Sequence, residues 1–170
     1  MSPTITHRTP IGPLALTASE DGLTRIASGQ VGPDDPEGPA RAAEIITQAR
    51  RELDEYFDGR RRHFEVPIDL SRVGGEQRQI LDYLAEHVGY GETITYGGIS
   101  TALSLPDDGA RRVGIAMARN PLMIIVPCHR VLGAGGKMTG YSGGGVGVKR
   151  RLLDLEGWDS SPGAQLELGL

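Results

Sequence analysis

The stretch PDDGARRVGIAMARNPLMIIVPCHRV, residues 106–131, decides how the chain folds. With residues placed about 100° apart around a helix axis, Ala110, Val113, Ala116 and Met117 share one apolar face of a helix predicted over 108–119. The opposite face carries Arg111, Gly114, Ile115, Ala118 and Arg119, with Arg112 beside it. A glycine inside a helix costs about 1 kcal/mol relative to alanine. Gly114 and Ala118 therefore suggest a surface that something approaches closely, either a groove of nucleic acid or a neighbouring helix. Just upstream, YGETITYGGISTALSL (90–105) starts as a turn and becomes a helix near Thr95. Two short helices joined by a tight connection, the second rich in arginine, outline a helix-turn-helix. The apolar run Ile124-Ile125-Val126 then predicts a buried strand that ends at Pro127 and delivers Cys128, His129 and Arg130.

Cys128 is the only cysteine. It reads as either a small buried hydrophobe or a nucleophile. A thiol attacks as thiolate, so a base must be within reach. His129 is adjacent, but neighbours on an extended strand point to opposite faces. Contact between them requires a turn at Pro127 or a bridging water. A histidine base also needs a carboxylate to orient it. Residues 109–153 contain no acid, so the nearest candidates are Asp154 and Glu156 on a helix predicted over 148–156 and stopped by Gly157. Lys149, Leu152, Leu153 and Glu156 follow helical spacing, which favours Glu156.

Working outward, TITHRT, PIGPLALTAS and EDGLTRIAS read as short strands, with Asp21-Gly22 a hairpin signal. Residues 29–39 form a Gly/Pro/Asp-rich loop. Ile45, Ala49, Leu53 and Tyr56 mark a helix over 40–59, and the alternation of Phe64, Val66 and Ile68 predicts a strand over 61–70. Ile80, Leu84 and Val88 define an amphipathic helix over 76–88. The expected organisation is an α+β lobe over 1–70, a linker over 71–75, a mostly helical domain with a short active-site strand over 76–157, and a poorly ordered tail over 158–170.

The 170 residues suffice for one well-packed domain or two small lobes. A single cysteine excludes a disulfide framework and a Cys-rich zinc site. No apolar stretch approaches the roughly 20 residues of a membrane helix, and residues 1–10 lack the core of a signal peptide. A cytoplasmic protein is expected. The net charge of −4 conceals a segregation: eight basic residues and no acid within 109–153, against ten basic and 22 acidic elsewhere. Such a block can present one face to phosphate while the protein stays acidic overall.

VPCHRVLGAGGKMTGYSGG, preceded by Asn120-Pro121 and by YGETITY, resembles the O6-alkylguanine-DNA alkyltransferases, most strongly over 90–157. Weaker similarity runs through TPIGPLALTASEDGLTRI and YFDGRRRHFEVPIDL. The resemblance implies a ribonuclease H-like N-terminal lobe and direct, irreversible, stoichiometric transfer of an alkyl group from O6 of guanine, or O4 of thymine, to Cys128. No cofactor or metal takes part. It also implies roles for individual residues. His129 is the base that acts through a water, and Glu156 holds it. Tyr96 donates to the guanine ring, and Asn120 ties the helix-turn-helix to the active-site strand. Val131, Tyr141, Ser142 and Gly143 line the substrate pocket. Arg111 fills the gap left by the flipped nucleotide. Gly114, Ala118, Arg119, Arg112 and Tyr96 face double-stranded DNA through its minor groove. The implied protein works as a monomer, or cooperatively along DNA, and associates with the nucleoid when acting. Chemistry on a base requires extrusion from the stack, and degenerate minor-groove readout suits binding without regard to sequence.

The sequence departs from the resemblance at four places. Glu76 and Leu81 replace the usual aromatics. Arg112 replaces a small residue, which would add a phosphate contact. The PDDGA connection and the GGGVGV loop are each one residue longer than usual. The zinc-binding cysteines of some relatives are missing. The alternative function is a non-catalytic alkyltransferase-like protein that binds lesions without repairing them; such proteins lack the acceptor cysteine.

Overall fold

The computed structural model describes residues 2–29 and 32–159. The chain falls into two units. One runs through Val73 and also takes Pro121–Ile125; the other comprises Gly74–Asn120 and the chain from Val126 onward.

In the first unit, β1 (Thr4–Thr9), β2 (Gly12–Ala18) and β3 (Leu23–Ser28) form an antiparallel sheet in that order. The register runs from Thr4 opposite Thr17 to Thr9 opposite Gly12, then from Leu14 opposite Ser28 to Ala18 opposite Leu23. β2 is central, so Leu14, Ala15 and Leu16 are all buried. Helix α1 (Ala40–Phe57) packs on the sheet and buries Ile45, Ala49, Leu53 and Tyr56, the stripe its spacing predicts.

The strand expected over 61–70 does not form. It is reduced to a single parallel bridge between Leu23 and Ile68. Pro67 has no N–H to add to a ladder, and the N–H groups of Glu65 and Val66 donate to the buried carboxylate of Glu52, both at 3.0 Å. A side chain of α1 therefore satisfies the backbone that a strand would have paired.

In the second unit, α2 (Gly75–His87) buries Ile80, Leu81 and Leu84. Helices α3 (Tyr96–Ala102) and α4 (Gly109–Ala118) pack together as the helix-turn-helix. The Thr95 hydroxyl caps α3, accepting from the Gly98 N–H at 2.9 Å. Gly109 permits the close approach of the two helices, since a Cβ there would lie 1.8 Å from Oγ of Ser100. For this reason the buried face of α4 is Gly109, Val113, Ala116 and Met117, and the expected Ala110 is exposed.

The strand expected to run into Cys128 is also absent. Leu122 bridges Ile26 within the first unit, and Ile124 takes a φ of +74°, an outlier for a β-branched residue. The ladder begins after the cysteine: β4 (Ile94–Thr95) pairs in parallel with β5 (Val131–Leu132). Helix α5 (Val146–Leu155) buries Lys149, Leu152 and Leu153 and stops at Gly157, whose φ is +75°. Trp158, assigned to the tail by sequence, is buried against Leu132 and Leu153. The rest of that expected tail, 160–170, lies outside the described residues.

Candidate active site

Pro127 has φ −81° and ψ 64°, the values of an inverse γ-turn, and the Cys128 N–H accordingly bonds to the Val126 carbonyl at 2.8 Å. One turn of 3-10 helix follows, Cys128–Arg130, with all three side chains buried. A 3-10 turn moves successive side chains about 120° around the axis, so the opposite-face objection to Cys128 and His129 does not apply. Asn120 Nδ2 donates to the Val126 carbonyl at 2.8 Å, and the Asn120 side chain also hydrogen-bonds the thiol.

Glu156 caps α5 and collects the donors of the turn. His129 Nε2 lies 2.7 Å from Oε1, with both side chains fully buried. Arg130 grips the carboxylate in bidentate fashion, Nε to Oε2 and Nη2 to Oε1, each at 2.9 Å, and its Nη1 donates to the Val88 carbonyl at 2.8 Å. Burial by itself raises the Glu156 pKa, but hydrogen bonds from His129 and Arg130 hold it at about 2. Burial pushes the His129 imidazole below its ordinary range. The histidine is therefore neutral, its Nε2 proton directed to the carboxylate. Its Nδ1 is buried with no hydrogen-bond partner among the described residues, which leaves a lone pair able to accept a proton. Asp154, the other candidate carboxylate, pairs with Arg150 at the surface at 3.1 Å.

Burial raises the pKa of the Cys128 thiol, and Asn120, Tyr141 and the Lys149 charge each counter that rise. The Tyr141 hydroxyl lies 3.9 Å from Sγ. Gly143 is buried beneath that ring, where a Cβ would come within 2.7 Å of it. Lys149 is fully buried, and its Nζ has no hydrogen-bond partner among the described residues. Its ammonium stands 5.8 Å from the centroid of the Tyr96 ring, and burial lowers its pKa. The Tyr96 hydroxyl accepts from Thr139 Oγ1 at 3.1 Å. Val131 is fully buried and Ser142 is exposed.

Sequence reasoning gave no site role to two of these participants, Lys149 and Arg130, although it placed Lys149 on the stripe of the last helix and Arg130 beside His129. The signal for Lys149 was available, since it shares a helical stripe with Leu152 and Leu153. The pairing of Arg130 depends on Glu156, 26 residues away, and no local pattern reports it.

On α4, Arg111, Ala118 and Arg119 are exposed, as is Ile115 at 44%. A Cβ on Gly114 would meet nothing closer than Tyr96 Cε1 at 4.0 Å, so packing inside the protein does not require that glycine. Arg112 is committed elsewhere. Its Nε donates to Asp108 at 2.7 Å and its Nη1 to Glu76 at 3.0 Å. Two of the departures noted in the sequence, Glu76 and Arg112, thus meet in one ion pair.

Fold and site together define a class: a helix-turn-helix set in the same unit as a buried thiol and a buried imidazole on one turn. The model of the 6-O-methylguanine DNA methyltransferase DNA-binding domain matches residues 76–158, and that of the family's ribonuclease-like domain matches 4–70. The chain belongs to this family. A methylated-DNA–protein-cysteine methyltransferase of Methanosarcina acetivorans is 42% identical over 151 residues, covering 87% of this chain and 94% of the relative. The constitutive one of Bacillus subtilis is 36% identical over 156 residues, covering 89% and 93%. The crystal structure of Mycobacterium tuberculosis OGT in complex with DNA superimposes with a TM-score of 0.76 at 38% identity, covering 95% and 96% of the two chains.

Proposed function

We infer that this chain is a DNA repair methyltransferase that takes an alkyl group from O6 of guanine onto Sγ of its own Cys128. The observation that carries this reading is the 2.7 Å hydrogen bond of His129 to Glu156, in the same buried turn as the thiol. The proton on Sγ passes through one bridging water to Nδ1 of His129, and the Glu156 carboxylate stabilises the resulting imidazolium. Sγ then attacks the alkyl carbon in a single displacement: the S–C bond forms as the C–O6 bond breaks. Negative charge moves onto the guanine, and the Tyr96 hydroxyl donates a proton to it. The Lys149 ammonium, near both the thiol and the Tyr96 ring, meets the negative charge at each stage. The thioether has no route back to thiol, so each molecule acts once.

DNA is the partner, and the target base reaches Cys128 flipped from the duplex. The exposed edge of α4, with small Gly114 and Ala118 flanked by Arg111 and Arg119, fits a minor groove. In this reading Arg111 fills the vacated stack, and Tyr141, Val131, Ser142 and Gly143 wall the pocket. The protein binds as a monomer and acts at the nucleoid in the cytoplasm. A lesion binder without catalysis would not need Cys128 or its base, and the relatives are named as methyltransferases.

The test is to incubate the protein with duplex DNA carrying O6-methylguanine and to weigh the Cys128 peptide. One methyl per protein is expected, and none for Cys128→Ser. An unmodified protein beside an intact lesion overturns the reading, and many lesions cleared per molecule overturn its single turnover.

A further inference from the structure

The eight basic residues of 109–153 are not equally available. Arg130 is bound to Glu156 inside the unit, and Arg150 pairs with Asp154. On α4, Arg112 makes two ion pairs. Asp108 lies four residues before it, at the position that precedes α4, and Glu76 comes from the first turn of α2. Next to Glu76, Gln77 Nε2 donates to the carbonyl of Arg119 at 3.2 Å. The start of α2 thus holds α4 at two points, one on a charged side chain and one on the backbone at its end.

We propose that Glu76, with Asp108, is an internal competitor for phosphate, which holds the Arg112 guanidinium back from DNA and weakens binding to undamaged duplex. The proposal rests on the reading of α4 as the DNA-binding helix. Arg112 adjoins Arg111 in sequence, and its side chain is 39% exposed, with Glu76 at 37% and Asp108 at 53%. Exposed pairs of this kind are weak and exchangeable. A backbone phosphate presents the same kind of anionic oxygens to a guanidinium as a carboxylate does, so the two acids take up donors that a phosphate would need. A protein that acts once per lesion must leave undamaged DNA readily, and removing one phosphate contact from the resting surface serves that end. Each phosphate contact steepens the fall of log K with log salt by about 0.9.

The experiment compares binding to lesion-free duplex across a salt series for wild type, Glu76→Gln, Arg112→Ala and the double variant. Glu76→Gln is expected to bind about threefold to tenfold tighter near about 0.1 M salt, with a salt slope steeper by about 0.9. Asp108→Asn should act in the same direction. Arg112→Ala should lie within about twofold of wild type, and the double variant should match it. Transfer to a free O6-alkylated guanine base should be unchanged in Glu76→Gln. A Glu76→Gln protein that binds no tighter overturns the proposal. So does a gain that persists without Arg112, because the effect would then be general charge. Loss of transfer to the free base would overturn it too, by making Glu76 a support of the site. Failure of the wild type to bind duplex at any salt would instead remove the underlying DNA-binding reading.

Discussion

Glu156 Oε1 lies 2.7 Å from Nε2 of His129 and 2.9 Å from Nη2 of Arg130. One buried oxygen therefore orients the candidate base and neutralises a buried cation. In the proposed reaction, activity and stability are joined at this carboxylate, and a substitution there is expected to affect both.

Glu156→Gln leaves the Arg130 guanidinium buried without its counter-charge. Breaking a buried pair from one side costs about 3–5 kcal/mol, so urea unfolding should show a loss of that order. Transfer to a free alkylated base should fall at least about tenfold, because the amide no longer stabilises an imidazolium. A loss below about 1 kcal/mol would mean the carboxylate is not the main counter-charge of Arg130.

Acid should weaken the fold in two stages. Burial holds the His129 imidazole below its ordinary 6.5, so the unfolded chain takes up that proton first. Its contribution is complete above about pH 6.5 and is lost as pH falls below that value. Hydrogen bonds from His129 and Arg130 outweigh burial and hold Glu156 at about 2 rather than 4.5. Its contribution, on the order of 3 kcal/mol, is full above the unfolded value and is lost as pH falls toward 2. Thermal melts should be level from about pH 8 to 7 and should decline below about 6.5. Stability unchanged down to about pH 5 would contradict the neutral, buried histidine.

Lys149→Met should separate stability from chemistry. A buried ammonium without a hydrogen-bond partner is unfavourable, so methionine should leave the melting temperature equal or higher. The thiol loses a positive neighbour that lowers its pKa, so thiolate absorbance should appear at higher pH and transfer should slow. A stability loss of several kcal/mol would indicate instead that the lysine is held by contacts that offset its burial.

Arg111→Ala tests the proposed base flipping. Repair of alkylated duplex should drop, with little change toward a free alkylated guanine. Equal losses on both substrates would count against a role in the stack.

The helices were legible because each carries a long apolar stripe: Ile45 to Tyr56 on α1, Ile80 and Leu84 on α2, Val113 and Met117 on α4. The three N-terminal strands were marked by turn residues between them. The strand over 61–70 was misread because alternation reports which residues are buried, not what satisfies the backbone, and there the acceptor is Glu52. The segment before Cys128 was misread for a related reason. An apolar run looks the same whether it is a strand or a buried coil kinked at Ile124. The two-residue pairing of β4 with β5 is too short to leave any period. In the candidate site, Cys128, His129 and the choice of Glu156 over Asp154 could be read locally. The anchoring of Arg130 and the restraint on Arg112 required partners 26 and 36 residues away.

The route taken by Pro121–Ile125 bears on how such a protein can be rearranged. These five residues belong to the first unit, although the chain on both sides belongs to the second. The Asn120 side chain, bonded to the Val126 carbonyl at 2.8 Å, closes the excursion at its base like a drawstring. A single cut near residue 73 therefore separates the sequence but not the bodies. A fragment starting at Gly74 would carry Leu122, Met123 and Ile124, all buried in the whole chain, as an apolar loop stripped of its cover. Shuffling that exchanged the N-terminal half between relatives would have to exchange this plug as well.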